Sequence, residues 1–407
     1  MPREKNGNHP MNPRKKVGAK RQRGKWKPRG CLNVPQLPEA LVMDILLRLS
    51  IKDLGNCRCV CKDWLHMISD PQFAHLHRLA SPICILIGTS PPCKTTEELD
   101  LIHTEKCAGS RMRIARMRFA PQNCLPCPVS KMNLINSCNG LLCLTGSRDG
   151  SLYVCNPILG QYITIPSPDK QRMYFANFVA LGFNAGTNEY KVVQTSCRDY
   201  RCSDPEAKIY TIGTGVWRSI GKPPRGCGAI PFNSVLHGAL HWIPFYFNCP
   251  QVIESFDFER EEFRQLLPPA SLQEFKHYDG LRLGVLKGCL FLCVFGGDDR
   301  KADMWVMKDY GVQESWTKFL VIENLYPRDN RPHVNNVYEP IMFLNDVEIL
   351  LTYKRRFVVR YNQETKRLEN TTIIRTQSQF QAVGYCPCFV SLHDVSNGEE
   401  VKRYALK

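Results

Sequence analysis

The chain has 407 residues, 43% of them hydrophobic and 23% charged. That composition excludes a collagen, a coiled coil and a chain disordered throughout, and the length leaves room for two or three domains. The net charge of +16 is uneven: residues 1–30 hold eleven Lys/Arg and one acid, so the tail supplies +10 and the rest only +6. No apolar run approaches the roughly 18 residues of a membrane helix, so no membrane contact is expected. The basic start has no apolar stretch of the kind a secretory signal needs. The expected setting is nucleus and/or cytoplasm, with the twenty cysteines reduced and many of them packed as small hydrophobes.

The first region, residues 1–33, reads as a disordered basic tail. In segment 14–29 nine of sixteen residues are basic, too few being apolar to offset the entropy of ordering. Arg14, Lys15, Lys16, Lys20, Arg21, Arg23 and Lys25 are the candidate nuclear-import residues. A weak nucleic-acid contact and a plain solvated tail are the competing readings, and nucleic acid is not expected as the main partner.

Residues 34–80 read as helical. Glu39–Leu49 has no internal Gly or Pro, with Pro38 just ahead of it and Asp44 and Arg48 spaced as a favourable i,i+4 pair. A second helix is expected from about Lys52, interrupted by Gly55-Asn56, and a third over Arg58–Ser69 that stops at Asp70-Pro71. A short fourth is expected over Gln72–Leu79. The first helix is apolar around its whole circumference, so it needs more burial than a small unit can supply, and the leftover face implies a partner, either another protein or the rest of this chain.

The run Leu37-Pro38-Glu39-Ala40-Leu41 through Leu49, then Ile51-Lys52-Asp53-Leu54, Arg58-Cys59-Val60-Cys61-Lys62-Asp63-Trp64 and Ile68–Phe73 resembles an F-box. The resemblance implies a three-helix element that docks on the Skp-type adaptor of a cullin-RING (SCF) ubiquitin ligase. It assigns Leu37, Pro38, Leu41, Ile45, Leu46, Leu49, Leu54, Val60, Cys61 and Trp64 to the docking surface or its support. Ser50 stands where the family often has Pro, and Gly55-Asn56-Cys57 replaces a more helix-favouring stretch.

Beyond residue 81 the chain changes to short β-branched and aromatic runs between turn signals. Five hairpins recur at about 45–55 residue spacing, starting near Leu152, Lys208, Val252, Met304 and Phe357. Most follow an apolar strand with a central Gly or Asn, as in Cys138–Leu144, Val235–Trp242 and Gly284–Leu292. Such a repeat points to a β-propeller of about six blades, with an irregular β-sandwich as the competing fold. The closing segment, Phe380–Tyr385 to Phe389–Leu392, is expected to complete a sixth blade with strands near Ile83–Ile87. Asn136-Ser-Cys-Asn-Gly-Leu-Leu-Cys with Asn156-Pro157, and Trp305–Trp316, resemble the F-box-associated domain of plant F-box proteins. The expected division is 1–33 tail, 34–80 helical element, 81–130 linker with possible first strands, 131–395 β-domain and 396–407 C-terminal tail.

No phosphate loop, nucleophile elbow, zincin helix or dinucleotide fingerprint is present. Cys57–Cys61 and Cys124–Cys127 lack partners at zinc spacing. His237 and His241 are expected on one strand, about 13 Å apart. Gly296–Arg300 reads as a polar turn. No catalysis, cofactor or metal is therefore expected. The resemblances imply the substrate receptor of an SCF-type ligase, with a cullin reached through the adaptor and an unknown protein target. A ligase-independent nuclear propeller scaffold is the alternative. Targets are expected on long loops: Arg198–Glu206, Gly296–Lys301, and above all Tyr326–Tyr338 with Arg328, Arg331 and His333.

Overall fold

The computed structural model describes residues 37–80, 83–89, 99–106, 112–119, 132–146, 151–168, 178–197, 204–224, 230–244, 252–274, 278–296, 301–322, 338–354, 356–371 and 380–403. Four helices come first: α1 (Glu39–Leu47), α2 (Ile51–Cys57), α3 (Lys62–Ser69) and α4 (Pro71–Ala80). Residues 43–407 form one compact unit; of residues 1–42, which form another, only the start of α1 is described.

Local chemistry sets the helix boundaries. Ser50 is an N-cap: its Oγ accepts the Asp53 amide at 3.2 Å and donates to the Asp53 carboxylate at 2.7 Å. Such a cap contributes about 1 kcal/mol, and α2 runs on through Gly55, contrary to the expected break there. The third helix starts later than Arg58, because Cys61 is extended and caps it with Sγ accepting the Trp64 amide. Asp70 ends α3 and caps α4, its Oδ1 accepting the amides of Gln72 and Phe73, with Pro71 at the first helical position. His77 is buried in α4, stacks on Phe73, and donates from Nε2 to Leu49 O at 3.0 Å, which ties α4 to the residues after α1.

The β-domain has six antiparallel sheets. Strands β1 (Cys84–Thr89), β2 (Leu99–Lys106) and β3 (Met112–Phe119) come first in the chain. Blade 1 is β4 (Met132–Cys138), β5 (Leu141–Gly146), β6 (Leu152–Asn156) and β7 (Gln161–Ile165). Blade 2 is β8 (Val179–Asn184), β9 (Glu189–Ser196), β10 (Glu206–Thr211) and β11 (Trp217–Gly221). Blade 3 is β12 (Val235–Leu236), β13 (Ala239–Trp242), β14 (Ile253–Asp257) and β15 (Glu262–Leu266). Blade 4 is β16 (Tyr278–Leu286), β17 (Cys289–Gly296), β18 (Ala302–Met307) and β19 (Trp316–Ile322). Blade 5 is β20 (Tyr338–Phe343), β21 (Glu348–Tyr353), β22 (Phe357–Asn362) and β23 (Arg367–Asn370). Then β24 (Phe380–Tyr385) pairs with β1, from Cys84↔Tyr385 to Thr89↔Phe380, and completes blade 6. A short helix, α5 (Leu392–Val395), follows, and β25 (Lys402–Arg403) adds to the outer edge of β7.

The structure is thus the all-α element followed by a six-bladed propeller, and the sixth blade closes as the sequence implied. Other details differ. Strands β2 (Leu99–Lys106) and β3 (Met112–Phe119) pair antiparallel, in a region expected to be a linker with possible first strands. Val390–Ser391 is not a strand, while the expected C-terminal tail contains β25. The apolar runs with a central Gly are two strands each. Asn139-Gly140, His237-Gly238 and Lys287-Gly288 all have φ between 48° and 80°, the two-residue turn that matches strand twist. They join the innermost strand of a blade to its second.

The apolar core is distributed between neighbouring blades. Separate clusters lie between blades 1 and 2, 2 and 3, 3 and 4, 4 and 5, and 5 and 6. Middle strands are consequently buried on both faces, as in β6. Polar bridges recur at these seams. Lys191 of β9, only 5% exposed, and Arg218 of β11 both pair with Glu261 at the β14–β15 turn. Trp217 and Trp316, each opening the outer strand of its blade, donate Nε1 to the carbonyl just after the preceding blade's outer strand, Pro166 and Leu267.

Candidate docking surfaces

The helices leave several apolar side chains exposed to solvent. Leu41 and Ile45, one turn apart on α1, are 51% and 50% exposed, whereas Leu46 is 1% exposed. Of the other implied docking residues, Leu37, Pro38, Val60 and Cys61 are exposed, Leu49 and Trp64 half-buried, and Leu54 fully buried. Leu46 and Leu54 therefore support the surface from below. Leu76 and Leu79 of α4 are also exposed; their i,i+3 spacing was the available signal, and the sequence reading missed it.

The propeller has two unlike ends. Antiparallel connectivity places the first-to-second and third-to-fourth strand turns of blades 1 to 5 at one end. Four of these turns share one device. Asn156, Asn184, Asp257 and Asn362 each accept the amides two and three residues on through a side-chain oxygen, at 2.9–3.2 Å. In each the residue four positions on, Gly160, Asn188, Glu261 and Lys366, has φ near +60°. This Asx turn is legible as a repeated Asn/Asp after a strand, and the sequence reading passed over it. The F-box-like helices meet this end: Arg58 lies over the Phe389 ring at 5.1 Å, and the Cys386 thiol donates to Arg78 O.

The opposite end carries the other connections. The strands that flank the three predicted target loops, β9 and β10, β17 and β18, and β19 and β20, have their adjoining ends there. Arg328, Arg331 and His333 lie outside the described residues, as do residues 198–203 and 297–300, the tail residues Arg14, Lys15, Lys16, Lys20, Arg21, Arg23 and Lys25, and Cys124–Cys127.

The sequence motifs of the β-domain are ring-closing devices. Asn136 donates to Leu181 O at 2.8 Å and accepts Leu181 N at 2.9 Å, sewing β4 to β8. Asn156 donates to Cys388 O and Val390 O, Gln161 accepts the Leu392 amide, and Tyr385 donates to Gly140 O at 2.6 Å. A Cβ on Gly140 would sit 2.5 Å from Cys388 Sγ, so glycine is required there both for φ and for space.

His237 and His241 do not share a strand as expected. His237 sits in the turn with φ +48°, and both rings pack on Tyr310 of blade 4, at 5.1 and 5.6 Å. His241 is buried, donates Nδ1–H to Ser234 O at 3.0 Å and accepts the Tyr310 hydroxyl at Nε2 at 2.7 Å. Burial pushes its pKa down to about 4. Among the described residues no cluster of three metal-ligating side chains occurs, and no helix is long and apolar enough to cross a membrane. Burial also raises the thiols of Cys138 and Cys143, to about 12. The expectation of reduced cysteines fails at Cys197, which is disulfide-bonded; the other described cysteines are free.

Comparison with known proteins follows the same division. Residues 34–76 match the F-box domain model, and residues 112–390 match the F-box associated beta propeller domain model. Three similar relatives come from Arabidopsis thaliana. F-box protein At3g07870 is 29% identical, over 82% of this chain and 87% of that protein. F-box/kelch-repeat protein At3g23880 is 27% identical, over 78% and 85%, and F-box protein CPR1 is 27% identical, over 85% and 86%. The propeller model spans well over half of the chain, and the strand pairings, the buried Asn136 and Asn156 and the preceding helices all accord with it: the chain belongs to the family of F-box proteins with an F-box-associated β-propeller domain.

Proposed function

We propose that this protein is the substrate-recognition subunit of an SCF-type ubiquitin ligase. The F-box docks on a Skp-type adaptor, which links it to a cullin, and the propeller captures a protein target. The protein acts by positioning rather than by covalent chemistry. Holding a target lysine near a charged E2 replaces a bimolecular encounter with an effectively unimolecular one. The observation that carries the reading is the half-exposed pair Leu41 and Ile45 above buried Leu46 in a helix that matches an F-box. Fully burying a Leu or Ile side chain is worth roughly 1.5–3 kcal/mol, and a partner surface supplies that burial.

The loop end of the propeller, opposite the helices, is the proposed target face, with Arg328, Arg331 and His333 as contributors. The basic tail is proposed to direct the protein to the nucleus. Pull-down with a Skp-type adaptor tests the first step. Leu41→Asp and Ile45→Asp should each abolish retention while leaving the melting temperature unchanged, because both side chains already face water. Undiminished retention of both variants would refute the docking assignment and favour a propeller that works apart from the ligase.

A further inference from the structure

We infer that the mouth of the propeller channel beside α4 is a binding site for a small carboxylate, held by Arg78 with Asn233 and Ser137. A cavity of about 200 Å³ opens there, between the last turn of α4 and the ends of the innermost strands. At ~30 Å³ per water, that is the liquid volume of about seven waters, enough for a carboxylate on a short hydrocarbon stem.

The polar side of the cavity is formed by Arg78, Asn233 and Ser137, and no acidic residue lines it. Among the described residues, Arg78 makes no ion pair. The thiols of Cys138 and Cys386 also line the space; burial raises both, so they stay neutral and leave the guanidinium charge uncompensated. Arg78 does not hang free: its own carbonyl accepts the Cys386 thiol at 3.3 Å, which fixes the helix turn that carries it at the cavity wall. The remaining wall is apolar, with Val285, Leu286 and Ile341.

A single guanidinium has one positive charge and a planar fork of donors, the match for one carboxylate in bidentate contact. The amide of Asn233 and the hydroxyl of Ser137 can donate further bonds, and the apolar wall suits a short aliphatic or aromatic stem. The carboxylate can come from a free small acid or from the C-terminus of a peptide. Because the cation is on the F-box side and the wall on the propeller side, an occupant touches both modules at once. This inference is independent of adaptor docking.

The test is calorimetric titration of the full-length protein with benzoate, benzamide, and the tripeptide Gly-Gly-Phe as free acid and as C-terminal amide. An acid should bind and its amide should bind about tenfold or more weakly, the range expected for loss of a charge-assisted contact. Benzoate binding alone identifies a small-acid site; peptide-acid binding identifies a C-terminus site. Arg78→Gln should weaken the bound acid by a similar factor. Val285→Phe, which fills the cavity and keeps the charge, should weaken it too. Equal affinity for acid and amide, unchanged affinity in Arg78→Gln, or no binding of any probe at about 10 mM would overturn the assignment. If one variant fails to fold, the other variant and the acid–amide pairs still decide.

Discussion

Replacing Asn156 with Ala should open the ring. The side chain is fully buried and makes four hydrogen bonds to backbone: it donates to Cys388 O at 3.1 Å and Val390 O at 2.7 Å, and accepts Ile158 N at 2.9 Å and Leu159 N at 3.2 Å. Alanine removes all four partners at once. Each net hydrogen bond is worth about 1 kcal/mol, and each buried group left unmade costs roughly 1–3 kcal/mol. The loss is therefore on the order of 4 kcal/mol or more, against a total stability of about 5–15 kcal/mol for a typical domain. Asn156→Asp is the informative companion. It keeps the acceptor for the two turn amides but aims a second oxygen at two carbonyls. It should destabilise at least as much as Ala, although it preserves the turn. Equilibrium urea unfolding followed by tryptophan fluorescence gives the magnitude, and hydrogen exchange across residues 380–391 shows where protection is lost. A cost under about 1 kcal/mol for both variants, with exchange unchanged, would refute the view that this side chain closes the propeller.

Two further outcomes follow from buried groups. His241 has its folded pKa depressed by burial to about 4, below the ordinary value near 6.5, so the unfolded chain binds the extra proton. Its contribution is present above pH ~6.5, is lost as pH falls toward 4, and amounts to on the order of 3 kcal/mol. Thermal melts of wild type and His241→Asn between those pH values should converge on acidification, and parallel curves would sink the assignment. Gly140→Ala should destabilise by roughly 1–3 kcal/mol or more, since φ is +80° and the new methyl meets Cys388; an unchanged melting temperature would show that the 386–388 segment yields freely.

The helical element was readable because its signals are local. Pro38, Pro71 and the apolar spacing set helices within a few residues of those observed. What local reading missed were two N-caps, Ser50, where the family often has Pro, and Cys61, whose thiol is an unusual cap. The five outer hairpins were legible from alternation and turn residues. The inner hairpins were not, because Asn139-Gly140 or Lys287-Gly288 between two apolar runs looks like one apolar strand unless the demand for positive φ is recognised. The β2–β3 pair escaped notice because its Lys, Arg, His and Glu content dilutes the β pattern. Partners distant in sequence, such as Asn156 with Cys388 or Lys191 with Glu261, have no local signature at all. The channel-mouth cavity is of this kind, since Arg78, Asn233 and Ile341 meet only after the ring closes.

That closure also orders the life of the chain on the ribosome. Strands β1–β3 emerge early, but β24, which covers the edge of β1, follows ~290 residues later. At about 5–20 residues per second, the edge waits about 15–60 s. The waiting strand holds Ile85, Leu86 and Ile87, all buried in the finished molecule, and an uncovered apolar edge is a template for wrong pairing. Residues 380–389 then do two jobs together. They complete blade 6, and through Cys386 and Phe389 they touch Arg78 and Arg58 of the helices. A chain stopped just short of residue 380 keeps both modules' sequences nearly whole, yet has neither a closed ring nor these two contacts between ring and helices.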